Sequence, residues 1–212
     1  MGKWAIFDGG ADPVGAEVWR LKEGSEGLEW TSSIERKTPF PHIERLLVRI
    51  APHKWAIQSL EIVSQSEQAR EEFFRGYVEK GAFRFEIQNA DGLHSDSVQV
   101  QPDTEYDYLS PIFNTITFHR LRLRSGQSRE ITPLYIDPVS INGSFNLHPV
   151  RQGYGRGGDE DVEVSAGRFI RAKLYRYENL ESGWKSRICT DNLETVLRYE
   201  RVYELQEYRH SI

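Results

Sequence analysis

The sequence has 212 residues and a formal net charge of −5 at pH 7, which together exclude several classes of protein. At this length we expect a single domain over residues 1–212, because all-β domains often exceed two hundred residues. The charges are mixed in sign and form no basic stripe, so nucleic acid is not an expected partner. The single cysteine, Cys189, excludes an internal disulfide and a cysteine-only zinc site.

The N-terminal sequence MGKWAIFDGGADP has no apolar core of signal-peptide length. No apolar run reaches the ~18 residues that a transmembrane helix needs. We therefore expect a cytoplasmic protein without a membrane span. Its aromatic content is high, at 12%, with five Trp, ten Tyr and ten Phe. Aromatic side chains favour β-strands and commonly line ligand pockets.

Alternation of apolar and polar residues dominates the chain and is typical of antiparallel strands. Turn signals separate the runs, for example Asn89-Ala-Asp-Gly92. Ten or more short strands joined by turns predict an all-β, mainly antiparallel fold: a highly curved sheet or an incomplete β-barrel. The predicted strands cover residues 17–21, 28–34, 45–50, 55–63, 82–87, 97–100, 115–123, 130–136, 139–147, 162–164, 169–177, 186–189 and 195–205.

One or two short helices are predicted to interrupt these strands. The stretch Ser64-Gln-Ser-Glu67 fits a capping box, and apolar residues then recur at helical spacing, which predicts a helix over 65–75. A second short helix is predicted over 108–114, where Ser110-Pro111 is a favourable first turn.

The stretch RQGYGRGGDED, residues 151–161, contains the pattern G-x-G-x-x-G at Gly153, Gly155 and Gly158. In a dinucleotide-binding protein this pattern follows a buried strand and opens a helix, whose N-terminus binds the pyrophosphate. Here acidic residues and then a strand pattern follow. We therefore predict a mobile hairpin loop over the sheet and no nucleotide or other cofactor. The glycines would also permit this loop to close over a pocket.

Other patterns associated with catalysis are weak. No G-x-S-x-G occurs, and Cys189 is predicted to be a packed, inert thiol on a strand. The pairs His42/Glu44 and His94/Asp96 could each supply two metal ligands from one strand face, but no third ligand can be identified. We predict no metal site.

The polar stretch EYDYLSP, residues 105–111, is followed by His119. On the predicted strand 115–123, His119 lies on the more apolar face and is expected to point inward. It is then either a core histidine or an acid–base group, since imidazole titrates near neutral pH. Further candidates for acid–base chemistry are Tyr108, Tyr135 and Asp137, followed by the weaker candidates Asn142, Asn146 and His148.

The aromatic residues Trp30, Trp55, Phe83, Phe85 and Tyr175 allow two interpretations. They could fill a core between packed sheets, or they could line a cavity for an apolar or aromatic ligand. A barrel of this many strands is too wide to be filled by side chains alone, which favours the cavity.

Several segments follow one another in a recognisable order, namely YDYLSPI at 106–112, the turn at Gly126, AGRF at 166–169, Thr190-Asp191 and VLRYE at 196–200. Their order, within about residues 15–205, resembles bacterial domains of unknown function whose fold is similar to the lipoprotein carriers LolA and LolB. That resemblance implies a highly curved antiparallel half-barrel whose open mouth is plugged by short helices. The same half-barrel is used by VioE, a cofactor-free enzyme of violacein biosynthesis.

Two functions from different classes follow as hypotheses. The first is a protein that binds or carries a lipid, an isoprenoid or a polycyclic metabolite in an aromatic-lined half-barrel. The second is a cofactor-independent lyase, isomerase or cyclase that uses acid–base catalysis on a hydrophobic metabolite. An interaction module with a filled core is a third hypothesis, and an uncovered sheet edge could support a homodimer.

Overall fold

A computed structural model describes residues 1–24, 27–37, 41–51, 53–66, 71–138 and 144–209. Within these ranges the chain forms seventeen strands and one helix. The strands are Gly2–Ile6 (β1), Gly15–Gly24 (β2), Gly27–Arg36 (β3), His42–Ala51 (β4), Ala56–Ser66 (β5), Glu72–Glu79 (β6), Ala82–Asn89 (β7), Gly92–Gln99 (β8), Tyr106–Asp107 (β9), Ser128–Ile131 (β10), Leu134–Asp137 (β11), Asn146–Pro149 (β12), Gln152–Val164 (β13), Gly167–Asn179 (β14), Lys185–Thr190 (β15), Val196–Tyr199 (β16) and Tyr203–Tyr208 (β17). The helix is Pro111–Leu121 (α1).

Fourteen strands form one sheet in the order β10-β13-β14-β15-β16-β17-β1-β2-β3-β4-β5-β6-β7-β8. Every neighbouring pair in it is antiparallel, and β1 pairs with β17, so the two ends of the chain meet within the sheet. The sheet is curved but does not close, because β10 and β8 are its two end strands. A second sheet of three strands has the order β12-β11-β9. The predicted all-β fold with a highly curved sheet is confirmed.

Side chains alternate between a buried and an exposed face along the central strands, as the pleat of a strand requires. In β4, His42, Glu44, Leu46, Val48 and Ile50 are buried, and the residues between them face outward or are half-buried. The inner face therefore carries polar as well as apolar groups. These buried polar groups need partners, since an unpaired buried charge is costly.

The helix α1 lies inside the curve of the sheet. Its N-terminal cap is Ser110, whose Oγ accepts a hydrogen bond from the Ile112 amide at 3.3 Å and donates one to Glu17 of β2 at 2.7 Å. At the other end, Phe118 stacks on Tyr175 of β14 with ring centroids 3.9 Å apart. Residues 111–118 are all buried, so the sheet surrounds the helix.

The strand predicted over 115–123 is wrong, because these residues form most of α1. Thr115, Ile116 and Thr117 are consecutive β-branched residues followed by the aromatic Phe118, a composition that favours a strand locally. Burial overrides that preference, since a helix enclosed by the sheet needs large side chains on every side. The short helix predicted over 108–114 does exist, but it begins at Pro111 and continues to Leu121.

The helix predicted over 65–75 is also wrong. The residues on either side of 67–70 belong to β5 and β6, which pair antiparallel with Ser64 opposite Glu72. Residues 67–70 themselves lie outside the described residues, as do 139–143 of the strand predicted over 139–147 and the candidate Asn142. The pairing of β1 with β17 and β2 was not predicted.

The hairpin loop predicted at 151–161 is a strand. Gly153 and Gly155 lie in β13, between β10 and β14, and the strand continues past Gly158 to Val164. Tyr154 and Arg156 point into the core between the glycines. No helix follows the pattern, so the arrangement that binds a pyrophosphate is not formed here.

Candidate ligand-binding site

Polar and aromatic side chains surround a pocket of about 380 Å³ at the start of α1, which we call the tyrosine pocket. Its volume is in the range that small-molecule sites occupy. Its aromatic lining is Tyr108, Tyr135, Tyr177, Trp184, Tyr199 and Tyr203. Its polar lining includes Asp107, Ser110, Asn114, His148, Gln152, Asn179, Glu181 and Ser182.

One wall of the tyrosine pocket is a cluster of rings from β14, β16 and the turn after β14. Tyr177 contacts Tyr199 edge-on with centroids 6.0 Å apart, and Trp184 contacts both, at 5.6 Å and 5.8 Å. Edge-to-face contacts of this kind hold rings in fixed orientations. Trp184 is 45% exposed, so it forms the open rim of this wall.

The buried acidic group of the pocket is Asp107, which β9 holds beside Tyr135 of β11. Its Oδ1 accepts a hydrogen bond from the Tyr108 amide at 2.9 Å, and its Oδ2 accepts one from Gln152 Nε2 at 2.6 Å. Both donors are uncharged. Burial therefore raises the pKa of Asp107 to about 6, and these two hydrogen bonds oppose the rise. Asp107 is a carboxylate that changes charge close to neutral pH.

A buried network lies behind the pocket, under the first turn of α1. Arg36 donates to the hydroxyl of Tyr203 at 3.2 Å, and that hydroxyl donates to the Leu109 carbonyl at 2.7 Å. The carboxyl of Glu17 accepts from Ser110. Burial raises the pKa of Glu17 to about 7, while the hydrogen bonds of Ser110 and Ser32 and the charge of Arg36 lower it.

The small sheet β12-β11-β9 brings together residues that are far apart in sequence. Tyr135 is paired with Asp107 on one side and with His148 on the other. His148 Nδ1 lies 3.3 Å from Asp137 Oδ2, and its ring contacts Tyr135 at 5.8 Å. Of the predicted acid–base residues, Tyr108 and Tyr135 thus line this pocket, and Asp137 lies next to it through His148.

His119 lies elsewhere, in a second pocket of about 300 Å³ that we call the tryptophan pocket. Its ring stacks on Trp55 with centroids 3.5 Å apart and an interplanar angle of 6°. Burial lowers the pKa of His119, and a hydrogen bond with the Leu193 backbone opposes that effect. The lining residues are Met1, Trp19, Leu21, Trp30, Trp55, Thr115, His119, Leu193, Thr195, Tyr208 and Arg209.

The predicted ligand-contacting aromatics are divided between these regions. Trp30 and Trp55 line the tryptophan pocket, whereas Phe83, Phe85 and Tyr175 line neither pocket. Phe83 and Phe85 pack with Phe74, at 6.2 Å and 5.7 Å between centroids. Tyr175 stacks on Phe118 and donates its hydroxyl to Glu194 at 2.9 Å.

Several pocket residues were missed by the sequence analysis, namely Asp107, Gln152, Tyr177, Trp184, Tyr199 and Tyr203. Asp107 stood inside the polar stretch 105–111, but nothing in the sequence showed that it would be buried beside Gln152. Alternation placed Tyr175 and Tyr177 on the same strand face. Which of these two tyrosines reaches a pocket depends on where β14 packs against α1. Alternation along the strand carries no information about that contact.

Comparison with known proteins supports the fold. No protein-family model matches the sequence, and no curated protein matches it. Among solved structures, the chain is similar to a β-barrel-like protein of domain of unknown function DUF1849 from Brucella abortus. The TM-score is 0.51 with 10% sequence identity, over 98% of this chain and 96% of the other.

At this identity the likeness shows a shared β-barrel-like fold and nothing further. The predicted resemblance to a bacterial domain of unknown function with a curved, barrel-like sheet agrees with this neighbour. Similarity to LolA, LolB and VioE stays a prediction. In the part of the chain that the structure describes, no helix is long and apolar enough to cross a membrane.

Proposed function

We propose that the protein binds a hydrophobic or aromatic small molecule in the tyrosine pocket. The observation that carries this proposal is a pocket of about 380 Å³ with six aromatic residues in its wall. Ring faces provide a large apolar contact area, and the hydroxyl and carboxyl groups between them would orient a ligand. The barrel-like fold is compatible with this role but does not specify a ligand.

The first test is native mass spectrometry of the protein purified from its own host, compared with a denatured sample. We expect a co-purifying small molecule that is lost on denaturation. Binding is then measured with N-phenyl-1-naphthylamine, an uncharged dye that fluoresces in apolar sites. An empty protein that also fails to bind this dye would support a filled interaction module instead.

Two matched variants locate the binding site. Trp184→Leu removes a half-exposed ring from the tyrosine pocket, and Trp55→Leu removes a ring from the tryptophan pocket. We expect Trp184→Leu to weaken dye binding by about tenfold and Trp55→Leu to change it by less than about twofold. The opposite pattern would place the ligand in the tryptophan pocket and contradict the proposal.

A second candidate function is cofactor-independent acid–base catalysis, as in a lyase or an isomerase. The observation that favours it is Asp107, whose pKa of about 6 suits a general base near neutral pH. Asp107 would accept a proton from the bound molecule, and the neutral phenol of Tyr135 beside it would donate a hydrogen bond. The test is incubation of the co-purified molecule with wild type and Asp107→Asn. Conversion by wild type alone supports catalysis, and no conversion by either leaves binding as the function.

A further inference from the structure

The charged groups that line the tyrosine pocket have one sign at neutral pH. Asp107 and Glu181 contribute carboxylates, and no Lys or Arg is among the described residues that line it. Neither carboxylate forms an ion pair in the described part of the chain. Glu181 accepts a hydrogen bond from the Arg151 backbone amide at 3.1 Å. The remaining ionisable base, His148, lies beside the carboxylate of Asp137.

The aromatic wall adds to this negative character. The face of a phenol or an indole ring carries the negative part of the ring quadrupole, so it attracts cations. Burial raises the pKa values of Tyr135, Tyr177 and Tyr203, which keeps these phenols neutral. Trp184, the ring type that attracts cations most strongly, stands at the rim where a ligand enters.

One cationic side chain, that of Arg36, lies in the buried network behind the aromatic wall of the tyrosine pocket. Arg36 reaches the Tyr203 hydroxyl from the buried network, where Glu17 and Glu44 are its acidic neighbours. Arg36 is not among the described residues that line the pocket, and the carboxyl of Glu44 offsets part of its charge. The carboxylate of Asp107, by contrast, has only uncharged donors as partners.

We propose that the ligand of the tyrosine pocket is an organic cation, an amine or a quaternary ammonium group attached to an apolar body. This inference rests on the proposed binding function and specifies its ligand class. Aromatic walls with a nearby carboxylate are the chemistry that recognises such ions, because the rings replace water around a weakly hydrated ammonium group. Asp107 supplies the charge, and the rings supply the apolar contact.

The proposal predicts a dependence on pH. A bound cation favours the ionised form of Asp107, so affinity is highest above a pH of about 6 and falls as the pH drops through that value. His148 also lines the pocket, where its Nδ1 lies 3.3 Å from Asp137 Oδ2. The other ionisable groups that act on Asp107 are neutral phenols and Glu105, whose partner is Arg120 at 2.8 Å. The phenols are Tyr135, Tyr154, Tyr177 and Tyr199.

The deciding measurement is isothermal titration calorimetry with two probes of the same shape. Benzyltrimethylammonium carries the charge, and neopentylbenzene replaces the charged nitrogen by carbon. We expect the cation to bind at least about tenfold more tightly at about pH 8, and to lose most of that advantage at about pH 5. Equal binding of the two probes, or tighter binding of neopentylbenzene, overturns the cation inference and leaves the proposed function standing. Failure of both probes to bind counts against both proposals.

Variants assign the effect to the carboxylates. Asp107→Asn keeps the shape and should weaken binding of benzyltrimethylammonium by about tenfold, with less than about a twofold change for neopentylbenzene. Glu29→Gln, which removes the same charge from β3 outside the pocket, is the control and should change neither. If Asp107→Asn does not fold, Glu181→Gln at the rim should weaken binding of benzyltrimethylammonium by about threefold. Unchanged cation binding in the folded variants overturns the proposal.

Discussion

The tyrosine pocket and the tryptophan pocket are both built around α1 from aromatic side chains, but their polar groups differ. The tyrosine pocket contains carboxyl groups with hydrogen-bond partners and phenols with raised pKa values. In the tryptophan pocket, Trp19 Nε1, Trp30 Nε1 and Thr115 Oγ1 are buried without a hydrogen-bond partner among the described residues. The carboxyl groups of Asp107 and Glu181 line the tyrosine pocket, whereas no Asp or Glu is among the described residues that line the tryptophan pocket.

The two regions also differ in how their rings are packed. Trp4, Trp19 and Trp30 form a continuous group with centroids 5.0 Å to 6.4 Å apart, and Trp30 is 1% exposed. Trp184 of the tyrosine pocket is 45% exposed. A buried stack contributes mainly to stability, whereas a half-exposed ring at a pocket rim contributes mainly to ligand contact. This difference teaches that aromatic content alone does not locate a binding site.

The largest expected effect separates these two roles. Trp30→Ala removes a fully buried ring and should lower the free energy of unfolding by about 3–5 kcal/mol. Trp184→Ala should lower it by less than about 1 kcal/mol while weakening ligand binding. Urea unfolding of both variants measures the difference. Equal destabilisation by the two substitutions would contradict the distinction between a structural and a ligand-facing tryptophan.

The next effect concerns the buried carboxyl behind the tyrosine pocket. The pKa of Glu17 in the folded protein, about 7, exceeds its ordinary value of 4.5, so folding favours the protonated form. Its contribution to stability is therefore full below a pH of about 4.5 and is lost as pH rises through about 7, at a cost of up to about 3 kcal/mol. Asp107 and Glu105 act in the same direction.

The variant Glu17→Gln tests this sign. The amide mimics the protonated carboxyl, so the variant should lose much of the decline in urea midpoint between acid and neutral pH. Glu29→Gln changes a partly exposed carboxyl on β3 that pairs with Arg49 at 3.6 Å; it serves as the control and should keep the wild-type profile. A Glu17→Gln profile that falls as steeply as that of wild type would contradict the assignment.

A smaller effect is expected at the N-terminus of α1. Ser110→Ala removes the cap of the helix and the hydroxyl that donates to Glu17, which should cost about 1–2 kcal/mol. Ser110→Thr keeps the hydroxyl and is the matched control. Because Ser110 lines the tyrosine pocket and not the tryptophan pocket, ligand binding should also weaken. Retention of full stability by Ser110→Ala would show that the cap is not significant.

The sequence was a good guide to the strands because alternation is a local signal that burial on one face produces directly. The hairpin of β2 with β3 and that of β7 with β8 follow the predicted runs and turns. The strand prediction over 115–123 was wrong because its β-branched residues favour a strand locally, and burial inside the sheet overrides that preference. The loop prediction around Gly153 and Gly155 was wrong because glycine-rich stretches usually form loops, whereas here the two glycines lie on the outward-facing side of β13.

The candidate site could be predicted from the sequence only in part. Tyr108, Tyr135 and Asp137 were named for their chemistry, and the pairing of β11 with β9 and β12 brings them together. The pairing of β9 with β11 joins residues 28 positions apart, and that of β11 with β12 joins residues 9 to 15 positions apart. Alternation within one strand carries no information about either pairing. The raised pKa of Asp107 depends on burial by several such elements, so it could not be predicted from the sequence.

The smallest expected effect is in the tryptophan pocket, where the sign of the pH dependence is opposite to that of Glu17. Burial lowers the pKa of His119, so folding favours its neutral form, and protonation at acid pH should destabilise the protein. We expect His119→Gln to remove a loss of stability that develops as the pH falls below the ordinary imidazole pKa of 6.5. This loss should be at most about 1 kcal/mol, because the ring is half-buried. NMR titration of the imidazole should give a pKa below its ordinary value, and the indole signal of Trp55 should follow the same transition through the ring stack. The indole signal of Trp184, in the tyrosine pocket, should not follow the His119 transition. A common transition at both tryptophans would show that the two pockets are coupled and would break the distinction between them.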